Sequence, residues 1–293
     1  VAESFAGEDS QVTIDGNLYR APVHFQGYGY IYNKDIFEDA GISEVPTTFS
    51  ELEAVAQQLE DAGYTAFSTG YGTWWVIGLH MLNVAFAQQE NAEQFMADLT
   101  SGDASMADNQ IFQDLQQLVD LTVEYGEDNP LATDHNQQVQ MLANGDVAMI
   151  QQGVWKEVAL FEANPDLNIG LIPLTINDSP QMDRVPVGVP WYFVVNAKAT
   201  EAEQEAGKEF INFMMVSETG QRYAVEEFGY IPAYQGVSAD GLGGVGKDIL
   251  DFAQNDKTIP WVFGQWPDGF AQQGAFNNLQ AYVAGRQTWD ETL

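Results

Sequence analysis

The chain has 293 residues, 43 of them acidic and 10 basic, for a formal net charge of −33. That length allows about two domains with real cores, while so negative a field lacks the basic footprint that nucleic acid or an anionic lipid surface requires. The absence of cysteine excludes disulfides, thiolate metal sites and cysteine nucleophiles together, and no apolar run approaches the roughly 20 residues of a membrane span, which implies a soluble chain.

Taken in order, Leu18 to Asn33 alternates short extended pieces with glycine and proline, then passes at Lys34 into a helical turn that stops at Gly41. Thr48 and Glu51 form a capping box ahead of the helical spacing Leu52, Val55, Ala56 and Leu59, which predicts a helix running to Gly63. Trp75 to Phe86 reads as helical. Residues Ile111 to Tyr125 carry apolar side chains at helical spacing. Further helices are predicted over Gln137 to Ala143, Glu201 to Val216, Gln221 to Glu226, Gly246 to Ala253 and Phe270 to Ala284. Between them, Ala66 to Ser68, Ala148 to Ile150, Ile169 to Ile172 and Phe193 to Val195 are short apolar runs that read as strands, the last of them buried. Strands interleaved with helices predict an α/β architecture with mixed or parallel sheets. No fixed-period repeat or low-complexity tract is present. The acidic excess is spread along the helices, so it reads as a solvated surface.

Gly241 to Gly246 matches G-x-G-x-x-G, yet Gln235 to Asp240 before it is turn material where a dinucleotide site needs a strand. The patch Ser238 to Gly246 is therefore expected to be a linker. His24, His80 and His135 fall in no metal-binding spacing and are read as packed or surface residues. Neither a nucleophile elbow nor a P-loop occurs, and carboxylates are too numerous for any pair to single out acid and base. The tryptophans carry more information. Trp74 and Trp75 follow a Gly-Tyr-Gly loop, Trp155 follows Gly153, Trp191 follows Pro190, and Trp266 precedes Pro267. Rings on loops at strand ends are placed to show a face to a cleft, where they stack on the C–H faces of sugars; each ring alone fits core packing equally well.

Ala21 to Ile42, APVHFQGYGYIYNKDIFEDAGI, followed by VPTTFSELEAVAQQLEDAG, resembles a segment of the carbohydrate-specific ABC-transporter solute-binding proteins related to maltose-binding protein. The blocks MLANGDVAMIQQGVWK and PVGVPWYFVVNAKAT, and the terminal GFAQQGAFNNLQAYVAGRQTWDETL, are similar to further motifs of that family, in the family's order. The resemblance implies a periplasmic-binding-protein-like two-lobed α/β fold with three crossover strands and a sugar held between lobes that close on a hinge. It implies that Gln26 offers a polar group at the first crossover, that Trp74, with Trp75, lines the far lobe, and that Trp155 stacks on a sugar ring. Trp191 and Tyr192 stand at the second crossover, and Trp266, with Asp268 beside it, stands at a second stacking position. Gly153 is expected to turn the backbone sharply so that Trp155 projects from a loop.

The family's first lobe has several elements ahead of the first crossover, where this chain has Val1 to Phe25, so the first lobe is expected to be incomplete. Residues 1–27 and 193–240 are assigned to its remnant and 28–192 and 247–293 to the second lobe, with hinges near 26–28, 188–192 and 238–246. The function implied is binding of a mono- or oligosaccharide and its delivery to ABC transporter permease subunits. The protein would act as a monomer, without enzymatic activity, cofactor or metal. It would work outside the cell or in the periplasm, lipid-anchored to the outer face of the cytoplasmic membrane in full-length form; any export signal lies outside VAESFAGEDS. A glycoside hydrolase, or a partner-binding module that kept the fold without a sugar site, is the alternative.

Overall fold

The structure, a computed structural model, describes residues 13–14, 17–233 and 238–293. Residues 1–12 and 15–16 of the expected first-lobe remnant, and 234–237 of the expected turn before the glycine patch, lie outside the described residues.

The strands are β1 (Thr13–Ile14), β2 (Asn17–Leu18), β3 (Ala21–Pro22), β4 (His24–Asn33), β5 (Thr65–Ser68), β6 (Val147–Gly153), β7 (Ile169–Ile172), β8 (Val185–Gly188), β9 (Tyr192–Phe193), β10 (Ile231–Pro232) and β11 (Thr258–Pro260). The α-helices are α1 (Lys34–Asp39), α2 (Phe49–Asp61), α3 (Leu82–Ala87), α4 (Ala92–Ser101), α5 (Gln110–Glu124), α6 (His135–Asn144), α7 (Glu157–Ala163), α8 (Glu201–Val216), α9 (Glu218–Arg222), α10 (Gly244–Gln254), α11 (Phe276–Val283) and α12 (Trp289–Thr292). Wider π-type turns lead into α3 at Val76–Met81 and into α11 at Phe270–Ala275, within the segments predicted as helices.

The ten-residue β4 is the spine of a mixed seven-stranded sheet. Its first half pairs antiparallel with β10 through Phe25 and His24 and with β8 through Gln26 and Gly27. Its second half pairs with β6 from Tyr28 to Tyr32 and with β7 from Tyr30 to Asn33. Outer positions are taken by β5, parallel to β6, and β11, parallel to β8. Because side chains alternate along a strand, Tyr28 and Tyr30 enter one apolar core with α2, α3 and α5, while Phe25 and Ile31 enter a second with α6, α7 and α10. The glycines of QGYGY fall on that second face. A Cβ on Gly27 would sit 2.9 Å from the Ile249 side chain, so α10 packs directly on strand backbone.

The predicted capping box at α2 is present: Glu51 N–H donates to Thr48 Oγ1, and Thr48 N–H donates to Glu51 Oε2. Two expectations fail. Phe193 to Val195 is not a buried strand, because β9 ends at Phe193 and Val194 is 63% exposed, with no layer of described residues over it. The glycine patch is not a free linker either. It runs into α10, whose first turn is held by the buried Glu157 carboxylate accepting N–H bonds from Val245 at 2.7 Å and Gly246 at 3.2 Å. The boundary expected between 246 and 247 thus falls inside a helix. The strand before the patch among the described residues is β10, which ends at Pro232, and residues 238–240 directly ahead of Gly241 carry no strand.

Candidate functional site

Along β4 the partners change from β10 to β6 on one edge and from β8 to β7 on the other, and two glycines stand at this exchange, Gly188 opposite Gln26 and Gly153 opposite Tyr28. Each leaves room for an indole. A Cβ on Gly188 would lie 2.6 Å from the Trp261 ring, and one on Gly153 would run into the six-membered ring of Trp155 and the carbonyl oxygen of Gly27. Gly153 itself is extended, with φ −128°, a conformation open to any residue. The sharp turn expected there is absent; glycine is needed because the Trp155 ring lies back over it.

The two indoles meet edge to face at 6.4 Å, and Tyr28 lies 6.4 Å from Trp155 and 6.0 Å from Trp261. His80 stacks on Tyr28 at 4.1 Å and stands 5.2 Å from both Trp155 and Trp75, and Trp75 meets Trp155 edge on at 6.0 Å. Phe263 closes the group 5.2 Å from Trp261. Tyr28 and His80 are buried, whereas Trp75, Trp155, Trp261 and Phe263 are half-buried. Edge-to-face and offset contacts at these separations suit the ring quadrupoles and fix the rings against one another.

Hydrogen bonds hold one central indole by its ring nitrogen and the backbone on either side of the other. Trp155 Nε1–H donates to Gln152 Oε1 at 3.0 Å, Gln152 Nε2 donates to Gln138 Oε1 at 2.6 Å, and Gln138 Nε2 donates to the Ser68 carbonyl at 2.7 Å. Both glutamines are fully buried, so each unmade bond would cost about 1–3 kcal/mol. Around Trp261, the buried Asn83 donates to the Pro260 carbonyl at 3.2 Å and accepts the Val262 N–H at 2.8 Å, clamping the backbone on either side of the indole. Burial pushes the His80 imidazole down to about 3, so the ring stacked on Tyr28 is neutral at ordinary pH. The Tyr28 hydroxyl, raised well above its usual range by burial, donates to the His80 carbonyl at 3.0 Å. On the rim, His135 N–H donates to Thr73 Oγ1 at 3.0 Å, which ties the loop before Trp75 to the start of α6, and the His135 ring stands 5.3 Å from Trp75.

Of the residues expected to form the site, Trp75 and Trp155 come together at the strand exchange, and Gln26 is buried on β4 opposite Gly188. Trp74 is half-buried next to Trp75 but makes none of the ring contacts of the group. Trp191, 57% exposed, lies with its edge 5.5 Å from His24, in a second group where His24 stacks on Tyr230 at 3.8 Å. Tyr192 is half-buried under the Arg20 guanidinium at 5.8 Å. Trp266 corrects the expectation: it is 8% exposed and packs on Phe86 at 4.8 Å and Phe270 at 5.3 Å, because a tight turn at Phe263–Gln265 folds it back onto α3. Its ring is core, not platform, and Asp268 beside it is an exposed loop residue. Trp261 was not foreseen. The three-residue β11 before it is too short to show a pattern, although Pro260-Trp261 repeats the Pro190-Trp191 arrangement that did draw attention. Among the described residues no cluster of His, Asp and Glu suits a metal, and no helix is long and apolar enough to cross a membrane.

A family model described as bacterial extracellular solute-binding protein matches residues 4–248. An uncharacterized ABC transporter extracellular-binding protein of Pyrococcus horikoshii is 26% identical over 258 residues, 84% of this chain and 54% of the relative, so the chain spans about half of that protein's length. Among solved structures, a chitin oligosaccharide binding protein superposes with TM-score 0.76 at 22% identity, covering 99% of this chain and 73% of the other. The solute-binding protein RafE of Streptococcus pneumoniae, in complex with raffinose, superposes with TM-score 0.78 at 19% identity, covering 100% and 78%. At such identities these two structures establish a common fold, the expected two-lobed α/β class.

Proposed function

We infer, from the premise that this chain belongs to the bacterial extracellular solute-binding protein family, that it binds a mono- or oligosaccharide and delivers it to an ABC importer. The observation that carries the reading is the ring floor at the strand exchange. Half-buried Trp75, Trp155 and Trp261 stand around a buried Tyr28–His80 stack, with the buried amide of Gln26 at the crossover. Fixed aromatic faces beside polar groups suit a pyranose, which presents C–H faces and an equatorial rim of hydroxyls. Chitin oligosaccharide and raffinose, named for proteins of the same fold, are first candidates.

Gln26, Trp74, Trp75 and Trp155 are proposed as sugar contacts, to which Trp261 is added. Trp191 and Tyr192 are kept as a separate aromatic patch at the second crossing. The domain limits outside α10 and the hinges near 26–28 and 188–192 are likewise proposed, as are a monomeric state, association with permease subunits, and lipid anchoring on the outer face of the cytoplasmic membrane. Intrinsic tryptophan fluorescence titrated with chitin oligosaccharides, raffinose and maltose tests the reading; saturable change with one of them supports it. Hydrolysis of chromogenic glycosides, with no saturable binding, would replace it with the glycosidase alternative.

A further inference from the structure

Lys156 is one of 10 basic side chains in a chain with 43 acidic ones, yet among the described residues no carboxylate stands within ion-pair reach of it. Lys208 and Lys257 each hold one and Arg222 holds two, while the remaining basic side chains pair with no described carboxylate. The half-buried Lys156 ammonium instead meets neutral acceptors, His135 Nδ1 at 2.6 Å and Asn136 Oδ1 at 3.3 Å. An ammonium has three donors, so one is left uncommitted among the described residues. Burial holds Lys156 below its usual value. Burial first, and then the Lys156 charge, does the same to His135, consistent with a cation over a neutral imidazole. Asp134 is the acid whose charge reaches both, but its carboxylate caps α6, accepting N–H bonds from Asn136 at 2.8 Å and Gln137 at 2.9 Å. It is spent on the helix.

The location of this cation matters more than its count. Lys156 follows Trp155 directly, and its partner His135 stands 5.3 Å from Trp75, which is itself 6.0 Å from Trp155. A half-buried charge with no carboxylate in contact is a desolvation cost that a ligand anion can offset. A neutral hydroxyl accepts the third donor but adds no charge in contact with the ammonium. A carboxylate projecting from the edge of a pyranose answers both, because it leaves the C–H face of the same ring to the indoles. The net charge of −33 opposes approach of an anion, but at physiological salt that field is screened beyond roughly 8 Å, whereas a contact with Lys156 is not.

We propose that the Trp75–Trp155 subsite takes a sugar unit bearing a carboxylate, of the uronic acid class, with Lys156 as its charge partner. The proposal rests on the sugar-binding reading above and narrows it.

The test is a glycan array carrying oligogalacturonates, oligoglucuronates and their methyl esters beside the neutral sugars already named, with titration calorimetry on the hits. The expected result is that the preferred glycan is a uronate binding at least about tenfold tighter than its own ester, the scale of one hydrogen bond to a charged group. In Lys156→Met that ratio falls to near one. If every hit is neutral, or if Lys156→Met leaves the ratio unchanged, the proposal is overturned while sugar binding stands. If no glycan of either kind binds, the sugar-binding reading falls and takes the proposal with it.

Discussion

Replacing Gly153 by alanine should displace Trp155 without touching the indole's own chemistry. The added methyl would occupy the place of the Trp155 six-membered ring on one side and of the Gly27 carbonyl oxygen on the other. That carbonyl belongs to the central strand, held by β6 and β8, so it cannot yield. The ring must lift, and its Nε1 bond to Gln152, in a chain that continues to Gln138 and Ser68, must stretch or break. Overpacking of this kind costs about 1–3 kcal/mol, and for a chain of this length each kcal/mol moves Tm by roughly 2 °C. Gly153→Ala should therefore melt about 2–6 °C lower, show red-shifted tryptophan emission, and bind sugar at least about tenfold more weakly. Gly264→Ala, where nothing stands within 4 Å of the new methyl, is the control and should change none of these. If Gly153→Ala melts and emits like the parent, the Trp155 ring does not lie over the strand and the floor described here is wrong.

Trp155→Ala should weaken sugar binding by about 2–4 kcal/mol, as expected for an aromatic anchor shielded from water. Calorimetry on the sugar identified by fluorescence checks this, and unchanged affinity with a large loss of Tm would make Trp155 a core residue instead. For His80, the folded value near 3 lies below the ordinary 6.5, so the unfolded chain takes up the proton first. The stability this ring contributes is complete above pH 6.5 and is lost toward pH 3, at about 1.4 kcal/mol per pH unit. His80→Phe should flatten the pH dependence of unfolding free energy between pH 6 and pH 4.5 by nearly one proton; an identical slope in urea melts refutes the assignment. Glu157→Ala, which leaves Val245 and Gly246 N–H groups buried without an acceptor, should cost about 2–3 kcal/mol. Glu157→Gln, which keeps an acceptor and loses the charge at the α10 N-terminus, should cost about 1 kcal/mol; urea unfolding orders the two, and equal losses would remove the capping role.

The parts of the fold legible in the sequence are those whose signal is local. The capping box at Thr48–Glu51 places a helix start to the residue, since cap and helix are one short hydrogen-bonded unit. Strands of two or three residues, such as β9, β10 and β11, have no period to read, and β11 is the one that delivers Trp261. The glycines show the same limit. Gly27, Gly153 and Gly188 are far apart in sequence, and what they have in common is a bulky side chain lying over the place where each would carry a Cβ. Nothing in the neighbourhood of Gly153 announces that its own Trp155 folds back on it; the two residues read equally well as turn and projection.

Exposure has the same character, and α8 argues it most clearly. Its sequence predicts the helix that is found, yet none of its residues is buried, and Phe210, Phe213 and Val216 are 55%, 45% and 64% exposed. Periodicity reports that a helix has an apolar face, because the 3.6-residue repeat lies in the chain itself. Whether that face meets a neighbour depends on elements elsewhere, which the repeat cannot encode. The same reasoning separates Trp266 from Trp155: both precede or follow turn residues, but Trp266 turns toward the Phe86–Phe270 core and Trp155 toward the strand exchange. On the proposed sugar-binding reading, a tryptophan serves as a platform when what lies beneath it is backbone, as at Gly153 and Gly188, and as core when what lies beneath it is more side chains.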